Sequence, residues 1–325
     1  MSKRFAIISI GTNSTRLLLA DIAPAVPRIE TARSIGTRIG EGLGEQGRLG
    51  DEPMQRTLDA IAQLQRAVKG HYVRLFAVAT SALRRAENGD DFSQRIEALL
   101  GTPLRILSGE EEATASYRGA LTALGELRGE RVGVLDVGGG STEYATGTST
   151  EPEKGVSCEI GAVRVTEAVP ELAGRDGTVK EDSVERARAI ARKALEPLAE
   201  CEAVERLALV GGSATTVAGM LRGRRAPIGS YDLTRADLQR ALERLLPMPL
   251  EERQKVEGMK PQRADILPGG IIAIDAAMEI IGSDKAIATT SDLLLGILLQ
   301  ERDAKPVQAQ AVYSKPSETR GRFRT

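Results

Sequence analysis

Two short stretches of this sequence combine glycines, hydroxyl side chains and a flanking apolar run in a way that suits an anion. One is Gly138-Gly139-Gly140-Ser141 and the other is Gly11-Thr12-Asn13-Ser14. Turns without bulky side chains let backbone N–H groups approach a phosphate closely, and hydroxyls add donors. Aligned as IISIGTNSTRLLLA (7–20) and VLDVGGGSTEYATG (134–147), the two stretches echo each other at an offset of 127 residues. Ser9 falls on Asp136, Gly11 on Gly138, Ser14 on Ser141 and Arg16 on Glu143. Each copy reads as strand, tight turn, strand, and the domain-scale offset predicts a duplicated domain. Two such hairpins, one per domain, would close on a phosphate chain from both sides. Asp136, at a strand end, is suited to hold Mg²⁺ (or Mn²⁺) through oxygen or water, and Glu143 just past the turn could join it.

Other chemistries have little to work with. The one histidine, His71, follows Gly70 between a helix and a strand and reads as a loop residue. Cys158 and Cys201 lack C-x-x-C spacing, so packing is their expected role, and zinc fingers and disulfide frameworks are excluded. No G-x-x-x-x-G-K-[ST] string occurs, and Gly42-Leu43-Gly44-Glu45-Gln46-Gly47 follows no strand and reads as a loop. Lys and Arg number 44 against 45 Asp and Glu, which argues against a basic face that wraps nucleic acid. No apolar run reaches the ~18 residues of a membrane span. The start, MSKRFAIISI, lacks a cleavage site, so the expected location is cytoplasmic.

The elements that must carry these turns alternate along the chain. FAIISI (5–10), RLLLADI (16–22), LFAVAT (75–80), PLRIL (103–107), RVGVLDV (131–137) and RLALVGG (206–212) read as strands. Helical spacing links Met54, Leu58, Ile61 and Val68 behind Asp51-Glu52-Pro53, and recurs over about 182–198. Thr234 and Asp237 resemble a capping box ahead of Leu238, Leu242 and Leu245. Strands interleaved with helices predict an α/β class. Residues 305–325 are polar, carry Pro306 and Pro316, show no period and read as a disordered tail.

Eight strings then carry a resemblance. IGTNSTRLLL (10–19), TRIGEGL (37–43), ATSALRRAENGDDF (79–92), SGEEEA (108–113), DVGGGSTE (136–143), GAVRVTE (161–167), GGSATT (211–216) and RADILPGG (263–270) follow one another over about 5–300. In this order they resemble the Ppx/GppA family of exopolyphosphatases and guanosine pentaphosphate phosphatases, in its short two-domain form. The paired hairpins resemble the actin-like ATPase (acetate kinase/Hsp70/actin) superfold with its duplicated ribonuclease H-like core. The resemblance implies domain I over 1–118, rejoined by a helix near 297–304, and domain II over 119–296. It implies removal of the terminal phosphate of inorganic polyphosphate, or of the γ-phosphate of guanosine pentaphosphate, with Mg²⁺. It places the base on Glu112, the last acid of SGEEEA, with Glu110 and Glu111 as helix-start acids. Arg84 is the family-matched grip on substrate phosphate, and Arg38 and Arg16 are further candidates, since a guanidinium forks onto phosphate oxygens. Arg164 reads as structural. Guanosine tetraphosphate stands beside these as a bound partner, and a homodimer is left open.

The chain also departs from the family pattern. The first hairpin of the family opens with Asp two residues before the glycine, and here Ser9 stands there. A hydroxyl is a poor substitute for a carboxylate on Mg²⁺, so altered metal use is expected. In ATTSDLLLGILL (288–299), Leu294 and Leu295 replace an Arg-Glu pair, which predicts a plain apolar helix without the family's ion pairs. Long members append a helical domain with clustered His and Asp, which a chain with one histidine is not expected to carry. Besides hydrolysis, two alternatives stay open: a non-catalytic polyphosphate or guanosine-phosphate sensor, favoured by Ser9, and phosphoryl transfer to ADP.

Overall fold

A computed structural model describes residues 3–125, 127, 129–224 and 229–304; the segment 305–325, read above as a tail, lies outside the described residues. Strands β1 (Arg4–Ile10), β2 (Ser14–Asp21), β3 (Arg28–Gly36), β4 (Arg74–Ala79) and β5 (Leu104–Ile106) form one sheet in the order β3-β2-β1-β4-β5. Strands β6 (Val132–Val137), β7 (Thr142–Gly147), β8 (Lys154–Cys158), β9 (Arg206–Val210), β10 (Ser230–Thr234) and β11 (Lys285–Thr289) form a second, ordered β10-β11-β9-β6-β7-β8. Read from β8, the second sheet repeats the order of the first and adds β10 at its edge. In both, an antiparallel hairpin leads, and a later strand returns parallel beside its first strand. Parallel neighbours need long crossovers, and helices supply them. The duplication expected from the echo is therefore present in the topology, and the class is α/β with two mixed sheets, the architecture of the actin-like superfold.

The helices are α1 (Leu43–Gln46), α2 (Asp51–Val68), α3 (Ser81–Arg85), α4 (Gly89–Leu100) and α5 (Gly109–Leu124), then α6 (Ala162–Ala168), α7 (Glu181–Leu195), α8 (Gly212–Leu221), α9 (Arg235–Leu245), α10 (Leu250–Arg253), α11 (Leu267–Ile281) and α12 (Leu293–Asp303). α2 starts at Asp51 and turns Met54, Ile61, Leu64 and Val68 onto Ile8, Ile10 and Leu17 of the first sheet. Thr234 caps α9 as expected: Asp237 N–H donates to Thr234 Oγ1 at 3.1 Å, and Thr234 N–H to the Asp237 carboxylate at 2.9 Å. His71 is exposed after α2, and Cys158 is buried in the second core. No helix among the described residues is long and apolar enough to cross a membrane.

Two helices tie the sheets together. α12, from the end of the described chain, packs Leu294, Ile297 and Leu298 on Phe5, Ile7 and Leu18 of the first sheet. α5 packs Ala113, Tyr117, Ala120 and Leu124 on Val132, Val134, Ala145 and Ala208 of the second. The boundary expected at 118/119 falls inside α5, because this one face of the helix runs unbroken across it. α5 and α12 cross at Gly119 and Gly296, where a β-carbon on Gly296 would stand 1.8 Å from the carbonyl oxygen of Ala115 and one on Gly119 2.1 Å from that of Asp292. Only glycine allows backbones that close.

Candidate active site

The two hairpin turns are built alike. Gly11 N–H donates to Ser14 O at 3.0 Å, and Gly138 N–H donates to Ser141 O at 3.0 Å. Cross-strand register pairs Ser9 with Arg16 and Asp136 with Glu143, as the sequence echo implies. The turns also face each other. A β-carbon on Gly140 would lie 2.6 Å from Thr12 Oγ1, so a side chain there would drive the turns apart. Thr12 Oγ1 is buried without a hydrogen-bond partner, a cost of about 1–3 kcal/mol that a bound ligand or water would relieve.

A cleft of about 90 Å³ opens between the turns. Its lining brings together Ser9, Gly11, Thr12, Asn13, Ser14 and Arg16 from the first sheet with Asp136, Gly138, Gly139, Gly140, Ser141 and Glu143 from the second. Glu112 joins them from the first turn of α5. Ser108 and Glu111 form the capping box that starts this helix, so Glu111 is a structural acid while Glu112, one residue on, is buried.

Three carboxylates in this cleft are hard to ionise. Burial raises the Glu112 carboxyl to about 7, against the pull of Arg84 and with added repulsion from Asp136 and Glu159. Burial also raises Asp136 to about 6, opposed first by the hydrogen bond from Ser116 Oγ at 2.6 Å. Glu143 is pushed well up by burial and by the charges of Glu112 and Asp136, although Ser157 Oγ donates to it at 2.9 Å.

Asp136 and Glu143 are hard oxygen donors on neighbouring strands, and a divalent cation between them would offset the repulsion that both carry. No group of three or more His, Cys, Asp or Glu converges as a closed metal cage among the described residues. Two carboxylate donors are a set that suits a cation such as Mg²⁺, which keeps several waters and takes one or two carboxylates plus substrate phosphates.

The arginines divide. Arg16 lines the cleft and donates from Nη2 to Asp292, whose other oxygen caps α12 by accepting from Leu294 N–H at 3.2 Å. The segment 288–299 thus does make an ion pair, contrary to the plain apolar helix expected; Asp292 supplies it from the N-cap. Arg84 is not in the lining. It stands behind Glu112, donating from Nη1 to Glu112 Oε1 at 2.5 Å and to Leu107 O at 2.7 Å. Arg38 is outside the cleft lining. Its guanidinium forks onto Asp265 at 2.6 and 2.9 Å and lines a neighbouring cavity of about 550 Å³ that shares Thr12 and Asn13 with the cleft, and its backbone N–H donates to Asn13 O at 3.0 Å.

Arg263 is a cleft residue that the motif reading missed. It lies over Gly212 at the start of α8, next to Asp136 and Arg16. Burial and the repulsion of Arg16 lower it to about 10. Its string, RADILPGG, carried the resemblance, but spacing gave no clue that Arg263 meets residues more than a hundred positions earlier. Thr80, at the end of β4, also lines the cleft.

Comparison with known proteins shows the family. The model of the Ppx/GppA phosphatase family matches residues 20–303. Exopolyphosphatase 2 of Mycobacterium tuberculosis is 33% identical over 317 residues, spanning 91% of this chain and 98% of that protein. Among solved structures, an exopolyphosphatase from Cytophaga hutchinsonii superposes with a TM-score of 0.83 at 25% identity, covering 93% of this chain and 98% of that one. The Aquifex aeolicus Ppx/GppA family member gives 0.76 at 27% identity, covering 94% and 100%. Six of the eight strings that resembled the family in sequence contribute residues to the cleft, the other two line the neighbouring cavity, and this chain belongs to the Ppx/GppA phosphatase family.

Proposed function

We propose that this protein is an exopolyphosphatase, removing the terminal phosphate of inorganic polyphosphate, with the γ-phosphate of guanosine pentaphosphate as a sibling substrate. One observation carries the reading: Glu112 is a buried acid whose carboxyl is held near 7, and it faces the cleft between two phosphate-type turns. A base poised near neutrality takes a proton from water efficiently. We read the two sheets as two domains, with the cleft between them.

The terminal phosphoryl group sits between the turns, held by their backbone N–H groups and by the hydroxyls of Thr12, Ser14 and Ser141. Arg16 and Arg263 neutralise its oxygens. Glu112 accepts a proton from a water placed in line with the bridging oxygen. The water oxygen bonds to phosphorus as the P–O bridge breaks, and the shortened chain leaves with the bridging oxygen. Asp136 and Glu143 would hold a divalent cation, which when bound supplies charge neutralisation for the phosphate oxygens. Arg84 keeps Glu112 ionisable and aimed.

Ser9 favours one competing reading, a sensor that binds without cleaving, because the first hairpin lacks the carboxylate its counterpart keeps at Asp136. Phosphate release from polyphosphate and guanosine pentaphosphate, with and without Mg²⁺, separates the two. Glu112→Gln is expected to lower release about 10²–10⁴-fold. Tight binding without release by the unaltered protein would favour the sensor.

A further inference from the structure

Beside the cleft, four donors converge on one carboxylate. Glu159 accepts from Arg84 Nη2 at 3.0 Å, from Ser81 Oγ at 3.2 Å and from Arg164 Nη1 at 3.2 Å, and Arg85 Nε lies 3.6 Å away. Ser81, Arg84 and Arg85 belong to α3, behind the first sheet's β4, whereas Arg164 belongs to α6 of the second. The group thus bridges the two halves. Three guanidinium groups meet three carboxylates here, Glu159, Glu112 and Glu167, so the positive charges are crowded although formally balanced. Arg164 is lowered by burial and then by the repulsion of Arg85, against the pull of Glu159 and Glu167.

Glu159 is nonetheless more open than its arginine partners: its side chain is 44% exposed, against 23–29% for theirs. A phosphoryl group carries more oxygens and more charge than a carboxylate and suits the planar fork of arginine better. Position matters too. Arg84 reaches Glu112, Ser81 Oγ lies against Gly140 of the second turn, and Arg164 lines the 550 Å³ cavity, which shares Thr12 and Asn13 with the cleft.

We propose that Ser81, Arg84, Arg85 and Arg164 form a second anion subsite for a phosphoryl group further along the substrate chain, and that Glu159 is its resident competitor, displaced when the chain binds. The inference rests on reading the cleft as the site of the terminal phosphate. It makes Glu159 a specificity-determining residue. A ligand with one phosphoryl group in the cleft leaves Glu159 in place, whereas a chain with two or more evicts it.

The test is calorimetric binding of imidodiphosphate, whose P–N–P bridge resists hydrolysis, to the full chain. Glu159→Gln should tighten binding about five- to tenfold, Arg164→Gln should weaken it by a similar factor, and the double variant should bind like Arg164→Gln. In turnover, Glu159→Gln should lower KM for tripolyphosphate more than for long chains, a length dependence that a merely structural residue would not produce. An affinity within twofold of the unaltered protein, or a weaker one, for Glu159→Gln would overturn the proposal. Phosphate release by the unaltered protein with no response to Glu159→Gln removes the subsite and leaves the hydrolase. The expected responses without any release remove the hydrolase and leave the subsite.

Discussion

Arg84 and Glu112 share a hydrogen bond of 2.5 Å at the back of the cleft, with the same arginine nitrogen also donating to the Leu107 carbonyl. The cation lowers the carboxyl that burial raises, and the balance leaves it near 7. Because Glu112 works as a base only when ionised, kcat/KM should rise with pH through about 7 on its acid side. Removing the cation removes the attraction that favours ionisation. Arg84→Gln should therefore move the acid limb to higher pH, by roughly one to three units. A pH–rate profile for both proteins checks this, and an unmoved limb would remove Glu112 from the role of base.

Ser9 sits opposite Arg16 where its counterpart Asp136 sits opposite Glu143. Ser9→Asp adds to the first hairpin the carboxylate that the second has at Asp136. The Mg²⁺ concentration for half-maximal activity should then fall about tenfold, the scale on which residues around a metal tune affinity. An unchanged metal titration together with an unchanged rate would end the case for position 9.

The crossing of α5 and α12 leaves no space for a methyl group. Gly296→Ala should force the two backbones apart at a cost of about 1–3 kcal/mol, seen as a lower urea midpoint. Activity should fall as well, since α5 carries Glu112 on its first turn. A variant as stable and as active as the parent would show that the crossing yields easily.

Arg38 and Asp265 form a bidentate pair between the first hairpin's side and the segment before α11. If the pair braces the structure, Arg38→Gln and Asp265→Asn should change stability in the same direction, with a coupling of about 0.5–3 kcal/mol in a double-mutant cycle. A residue that gripped substrate would behave otherwise: Arg38→Gln would raise KM and Asp265→Asn would lower it.

The parts legible in the sequence are those whose signal is local. Both hairpins showed themselves because strand, turn and strand follow directly on one another and their fourteen-residue central string occurs twice. Thr234 and Asp237 of the cap stand three positions apart. What escaped was non-local or aperiodic. β3 is exposed along most of its length and shows no alternation. α11 is apolar around nearly its whole circumference, because it is buried on all sides, and so has no helical stripe to read. Arg16 meets Asp292 across 276 positions, and Arg38 meets Asp265 across 227. No spacing rule reaches that far, so neither ion pair can be read from the sequence.

The duplicated hairpins are symmetric in backbone and asymmetric in charge. The first brings Ser9 and an arginine already balanced by Asp292; the second brings two acids on adjacent strands. A symmetric pair would accept a ligand equally well in either sense. This pair sets a polarity across the cleft, so under the proposed reading a cation–phosphate assembly would have one favoured way round, with the acids of the second sheet to hold the cation. Duplication supplied the frame, and divergence at two cross-strand positions gave it a direction.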